Sequence, residues 1–195
     1  MNTTPRLIIG ISGSSGIIYG IRLLQALQKL PIETHLVVSK AAQLTRSYET
    51  SFSAAELKAM ADVYHPCTDI TASIASGSFK TLGMIIAPCS MKTLGEIAHG
   101  ISSSLLTRAA DVVLKERRRL VVLPRETPLH LVHLNNMVNV TQMGGIICPP
   151  VPAFYNKPES IDDLVDDTVG RVLDLFDIDC GLVRRWGDVP AQGKV

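Results

Sequence analysis

The sequence predicts an α/β protein built on a doubly wound parallel sheet, and three features carry that prediction. Short β-branched runs alternate with segments of helical period, and the runs are apolar throughout rather than at every second residue. The first run also passes directly through a Gly/Ser-rich turn, Gly10 to Gly16, into a helical segment. Continuously apolar strands belong to sheets covered on both faces, which is the arrangement that parallel βαβ units produce.

Leu7 to Ile11 reads as the first strand, and Ile17 to Leu30 places Ile21, Leu24, Leu27 and Leu30 at helical spacing. Thr34 to Val38 is a second strand, followed by a helix from Lys40 to Tyr48 with Ser39 at its N-cap. Ser53-Ala54-Ala55-Glu56 has the form of a capping box, whereas Asp62 to Lys80 is polar and weakly periodic and is expected to be a surface excursion. Gly83 to Pro88 is a buried-type strand, Ser90 caps a helix through about Ala98, Ser104 to Arg117 is a further helix, and Leu120 to Leu123 a further strand. Leu129 to Met143 reads as helix and Gly145 to Cys148 as a short strand. Pro149-Pro150-Val151-Pro152 then breaks the chain before Ser160 opens a last helix to about Phe176.

At 195 residues, with 46% hydrophobic and 19% charged residues, the chain fits one globular domain, 1–195, with a core at about 6–186 and a tail at 187–195. Its 19 basic and 18 acidic residues leave a net charge of +1, so no global field favours nucleic acid or an anionic membrane, and any anion site must be local. Cys67, Cys89, Cys148 and Cys180 are widely spaced, without a C-x-x-C pair, which argues for reduced thiols in a cytoplasmic protein over a zinc cluster or disulfide scaffold. The apolar run after Arg6 is too short for a signal peptide or a membrane span.

In a doubly wound sheet, ligands bind beyond the strand C-termini, so the loops there are the places to look. Gly10-Ile11-Ser12-Gly13-Ser14-Ser15-Gly16 converges amides, hydroxyls and a helix dipole on one point, as an anion requires. A turn that merely packs tightly uses the same residues, and Ser12 stands where the dinucleotide fingerprint has its middle glycine. Cys89-Ser90-Met91-Lys92-Thr93 offers a second such loop, with an ordinary N-cap as the alternative. Pro124-Arg125-Glu126-Thr127-Pro128 carries a cation and a carboxylate at the same edge, either as ligand groups or as a structural ion pair.

Arg108 and Lys115 lie two turns apart on one helix face, where a solvated basic helix is the alternative to a site. Arg171 sits within the apolar stretch Val169 to Leu175 and calls for an anionic partner, Asp167 or Asp174. Glu49 and Tyr155 would not be chosen on pattern alone. The five histidines lack metal spacing, with His130 and His133 reading as a helix-surface pair, and Cys89 is either mildly activated by the following helix or a small buried residue.

Together, Gly10 to Gly16, Ser39-Lys40-Ala41, Pro88 to Leu94, Arg108-Ala109-Ala110-Asp111, Leu114 to Arg117, Pro124-Arg125-Glu126 and Pro152-Ala153-Phe154-Tyr155 resemble the UbiX/Pad-type flavin prenyltransferases, from about Arg6 to Trp186. The resemblance implies a flavodoxin/Rossmann-like enzyme that attaches a dimethylallyl group from dimethylallyl monophosphate to N5 and C6 of reduced FMN. The product, prenylated FMN, serves UbiD-type decarboxylases of ubiquinone biosynthesis or aromatic-acid degradation. Gly13, Ser14, Ser15, Ser39, Ser90, Met91, Lys92, Thr93 and Arg125 then correspond to FMN-contacting positions. Arg108, Lys115, Tyr155 and Arg171 correspond to a cage for the allylic phosphate, and Trp186 to an aromatic flanking the prenyl group. Ser15, Glu49 and Glu126 become the proton-transfer residues. No metal is implied, and a homo-oligomer, often a dodecamer, is. Ser14 departs from the usual alanine. The alternatives are an FMN-dependent cysteine decarboxylase, whose Pro-Ala-Ser-Ala-Asn-type segment is replaced here by Pro88 to Thr93, and a non-catalytic flavin-binding accessory subunit.

Overall fold

A computed structural model of the chain describes residues 4–182. Within it, six strands form one parallel sheet: β1 (Arg6–Ile11), β2 (Glu33–Val38), β3 (Val63–His65), β4 (Gly83–Cys89), β5 (Arg119–Pro124) and β6 (Ile146–Ile147), in the order β3-β2-β1-β4-β5-β6. The order reverses between β1 and β4, so the loops leaving their C-terminal ends diverge and open a crevice there.

The helices are α1 (Ile17–Leu27), α2 (Lys40–Glu49), α3 (Ala54–Ala59), α4 (Met91–Ala98), α5 (Leu105–Lys115), α6 (Leu131–Gln142) and α7 (Ile161–Asp174). Their starts follow the sequence closely. Ser39 accepts from the Ala42 amide, and Ser53, Ser104 and Ser160 each close a reciprocal capping box.

Alternation along β1 shows how both faces are covered. Leu7, Ile9 and Ile11 enter one core with Ile21 and Leu24 of α1 and Val169 and Leu173 of α7, while Ile8 enters a second core with Leu94, Leu106 and Val113. Each fully buried Leu or Ile contributes about 1.5–3 kcal/mol of hydrophobic stabilisation, so two filled layers fix the strand ends on which the crevice depends.

Two expectations need correction, the excursion and the helix bounds, and one, the anionic partner of Arg171, holds. The Asp62 to Lys80 excursion contains the edge strand β3 and a 3-10 turn, Ser73–Ala75. The Asp62 carboxylate accepts from the Thr34 amide and hydroxyl at 2.7 and 2.8 Å, which pulls the segment into register beside β2. Helix α1 ends at Leu27 rather than Leu30, and α6 begins at Leu131 with the His130 ring as its cap. Arg171 is 56% exposed and pairs with Asp174 at 3.1 Å, so the helix turns its charge outward and no burial cost arises.

Candidate active site at the ends of the central strands

Ser12 binds the ends of β1 and β4 to each other. Its amide donates to the Pro88 carbonyl at 3.1 Å, its hydroxyl donates to the same carbonyl at 3.2 Å, and that hydroxyl accepts from the Ser90 amide at 2.7 Å. The side chain at the missing fingerprint glycine is thus used within the protein. Gly13 follows because a Cβ there would fall on the Ala41 side chain, so α2 can approach the loop only at a glycine. Gly16 has a φ of +98°, and a Cβ on it would lie 2.7 Å from Cδ and Nε of Arg125; both its conformation and its neighbour demand glycine.

These loops enclose a cavity of about 550 Å³ with Gly13, Ser14, Ser15, Ser90, Met91, Arg125 and Glu126 in its wall, and Pro124, Thr127, Pro149, Pro150 and Val151 completing it. The size suits a mononucleotide-type ligand. Ser14 Oγ and Arg125 Nε are buried in this wall without a hydrogen-bond partner. A buried unpaired donor costs about 1–3 kcal/mol, so the two atoms fit a bound polar or anionic group, and FMN with its ribityl hydroxyls and phosphate supplies one.

The start of α1, where the sequence places the anion, is held by a carboxylate of the chain itself. Glu49 Oε2 accepts from the Gly16 amide at 2.8 Å and the Ile17 amide at 3.1 Å. Burial opposes its charge, yet the Ser15 hydroxyl, these two amides and the nearby Arg125 guanidinium together hold the carboxyl below the usual range. Glu49 is therefore ionised at neutral pH and linked to the cavity through Ser15. Ser14 Oγ and Arg125 Nε are the groups of the wall still without a hydrogen-bond partner for an anion to meet.

The remaining predicted residues divide. Thr93 is buried and its hydroxyl accepts from Ser90 Oγ at 3.2 Å, while Lys92 is 82% exposed and faces Glu96 at 3.5 Å; neither forms the cavity wall. Ser39 caps α2 and donates its amide to Ile11 at 2.9 Å. The Glu126 side chain accepts from the Thr127 amide at 3.0 Å. Arg108 donates to the Ala75 carbonyl at 3.3 Å and to Asp111 at 2.6 Å, and Lys115 pairs with Glu116 at 2.5 Å. Arg108, Lys115, Tyr155 and Arg171 all lie outside the cavity wall of this chain. Trp186 falls outside the described residues.

Burial pushes the Cys89 thiol up to about 12, so it is a packing residue and not an activated nucleophile. His130 and His133 stack with ring centroids 3.5 Å apart. No cluster of three metal-ligating side chains occurs among the described residues. Sequence reasoning missed Pro149 to Val151 as cavity wall; their proline-rich composition signalled only a chain break, although a rigid apolar edge just past β6 uses the same residues.

The profile of the Flavoprotein family matches residues 1–173. The Flavin prenyltransferase UbiX of Escherichia coli K12 is 60% identical over 184 residues, covering 93% of this chain and 97% of its own. A crystal structure of AnUbiX (PadA1) in complex with FMN and dimethylallyl pyrophosphate superposes with a TM-score of 0.94 at 50% identity, covering 96% of this chain and all of that one. A dodecameric FMN-dependent UbiX-like decarboxylase from E. coli O157:H7 superposes at 0.91 with 52% identity, covering 93% of this chain and 98% of that one. With the crevice at the β1/β4 reversal, the orphaned Ser14 and Arg125 atoms and this extent of likeness, the chain belongs to the flavoprotein family and, within it, to the UbiX-type flavin prenyltransferases.

Proposed function

We propose that the chain transfers the dimethylallyl group of dimethylallyl monophosphate to N5 and C6 of reduced FMN, and that its prenylated FMN serves a UbiD-type decarboxylase. The observation that carries this reading is the meeting of orphaned Ser14 Oγ and Arg125 Nε with a Glu49 carboxylate that reaches the same cavity through Ser15. Reduced FMN is the substrate nucleophile: N5 replaces the phosphate at the allylic CH2 and loses its proton. C6 bonds to the dimethyl-substituted alkene carbon as the π bond breaks, the neighbouring CH taking up a proton while C6 releases one, so that proton gain and loss cancel in the ring closure. Glu49, held ionised, is the group to accept a proton, with Ser15 as the relay and Glu126 as a second carboxylate in the cavity wall.

Breaking the allylic C–O bond sends its electron pair to the departing phosphate, and cations placed beforehand stabilise that charge. Arg108, Lys115 and Arg171, with the Tyr155 hydroxyl, are assigned this role and Trp186 the flank of the prenyl group. Because none of the four cage residues is in the cavity wall of its own chain, a second copy supplies at least some of them. The α6 surface supports assembly: Leu131, Val132, Leu134 and Val138 are exposed on a helix that buries only Asn136 and Val140. A homo-oligomer, as large as the dodecamer of the related decarboxylase, follows from this reading.

The cytoplasm is the proposed location. Cys67, Cys89, Cys148 and Cys180 are all free thiols, and no described helix is long and apolar enough to cross a membrane. The role of a non-catalytic flavin-binding accessory subunit is disfavoured by the extent of likeness to flavin prenyltransferases, 60% identity over 184 residues.

Anaerobic incubation with reduced FMN and dimethylallyl monophosphate should yield a flavin heavier by one C5 prenyl unit by mass spectrometry. A parallel reaction with the pyrophosphate compares the two allylic donors. Unmodified FMN in both would overturn the assignment and favour the accessory role.

A further inference from the structure

We infer that Gly77, through the side chain it lacks, positions Lys115 for the substrate phosphate; this rests on the reading of Lys115 as a phosphate-binding cation given above. The segment between β3 and β4 crosses the end of α5 and is pinned there by arginines. Arg108 Nε donates to the Ala75 carbonyl at 3.3 Å, and Arg118 donates to the Gly77 carbonyl at 2.6 Å and the Phe79 carbonyl at 2.7 Å. The Gly77 backbone therefore has charge-assisted bonds on itself and on both sides, and cannot easily withdraw.

A Cβ at Gly77 would fall on the Glu116 carboxylate and lie 2.8 Å from Lys115 Nζ. These are the ends of long side chains, each partly exposed, so they yield without disturbing a packed core. The Gly77 φ lies outside the left-handed region, so alanine is conformationally acceptable there. Adding a methyl group thus costs the fold little, and its effect falls on the ammonium position. Affinity for a phosphate depends on that position because a charge-assisted contact weakens steeply once displaced from hydrogen-bonding distance.

Gly77 is a positioning residue, acting through Lys115 and not by touching the reacting atoms. The Glu116 carboxylate beside it keeps the ammonium at its post until phosphate competes for it. Arg108, held by the Ala75 carbonyl two residues earlier and by Asp111 at 2.6 Å, shares the same support, so one segment registers both cations.

The test is equilibrium binding of dimethylallyl monophosphate to the intact oligomer loaded with oxidised FMN, which cannot be alkylated, together with KM and kcat on reduced FMN. Gly77→Ala should weaken phosphate-ester binding and raise KM about tenfold, leaving kcat within about threefold and FMN affinity and Tm unchanged. Combined with Lys115→Ala, it should add no further loss, since both changes remove the same contact. If Lys115→Ala weakens binding and Gly77→Ala does not, or if the two losses add in full, the inference fails while the proposed function stands. A large fall in Tm for Gly77→Ala would likewise overturn it in favour of a packing role. If Lys115→Ala has no effect on binding, the assignment of Lys115 fails, and the inference with it.

Discussion

The crevice between β1 and β4 and the outer face of α5 both carry cations assigned to phosphate groups, yet they hold them in opposite states. In the crevice, Arg125 Nε and Ser14 Oγ are buried without partners. On α5, Arg108 is already bonded to Asp111 and Lys115 to Glu116. An unpartnered buried donor has lost its water before the ligand arrives, so a ligand there gains nearly the full strength of the bond. A cation with a carboxylate beside it gives only the difference between two partners. On the proposed reading, the crevice holds the flavin more tightly than the α5 face holds the allylic phosphate, although both ligands leave in each cycle.

Four substitutions can break or sharpen this contrast. The largest effect is expected for Glu49→Gln, which keeps an oxygen for the Gly16 and Ile17 amides but cannot accept a proton. Single-turnover kcat should fall about a hundredfold or more, with FMN affinity by titration within about threefold. A collapse of FMN affinity instead would make Glu49 an organiser of the crevice.

Arg125→Ala removes the orphaned donor and should weaken FMN binding by about 2 kcal/mol, roughly thirtyfold, leaving KM for the allylic phosphate nearly unchanged. Lys115→Ala should do the reverse, raising that KM about tenfold with FMN retention intact. The loss should shrink at high salt, because the pair is partly exposed and screened. Equal effects of both variants on both ligands would erase the distinction between the two regions.

The smallest effect concerns the edge strand that leads into the segment over α5. His35 Nδ1 and His65 Nε2 are 2.9 Å apart, with His35 Nε2 on the Glu33 carboxylate at 2.8 Å. Burial, helped by His35 and opposed by Asp69, lowers the His65 pKa from its ordinary 6.5. The folded state therefore binds fewer protons than the unfolded state below that value. The stabilisation is complete above pH 6.5 and is lost as pH falls through the lowered folded value. His65→Gln should cost about 1 kcal/mol at neutral pH and flatten the decline of Tm on acidification, as followed by calorimetry.

Much of the architecture was legible because local chemistry and packing agree. The Ser53, Ser104 and Ser160 caps, the apolar runs of β1 and β4 and the turn after β1 all lie where pattern places them. β3 was not legible: Val63 to His65 is too short to show a period, and its pairing is set by Asp62 reaching Thr34 across 28 residues. The same kind of long-range bond hid the occupant of the α1 terminus, since nothing near Glu49 points to Gly16. The partner of Arg171 was legible, since Asp174 lies one turn on, but its exposure was not, because apolar neighbours conceal which helix face one residue occupies. On the proposed reading a second copy completes the phosphate cage, and such assembly is not legible in one sequence; in the structure it leaves the exposed apolar residues of α6.

The Glu49 carboxylate at the start of α1 also bears on which nucleotides the crevice refuses. Dinucleotides bound by folds of this strand order rest their pyrophosphate on that helix terminus. Here such a ligand would meet a resident negative charge and two amides already engaged. A carboxylate at that helix end would thus oppose NAD or FAD by charge alone, before the dimensions of the crevice come into play.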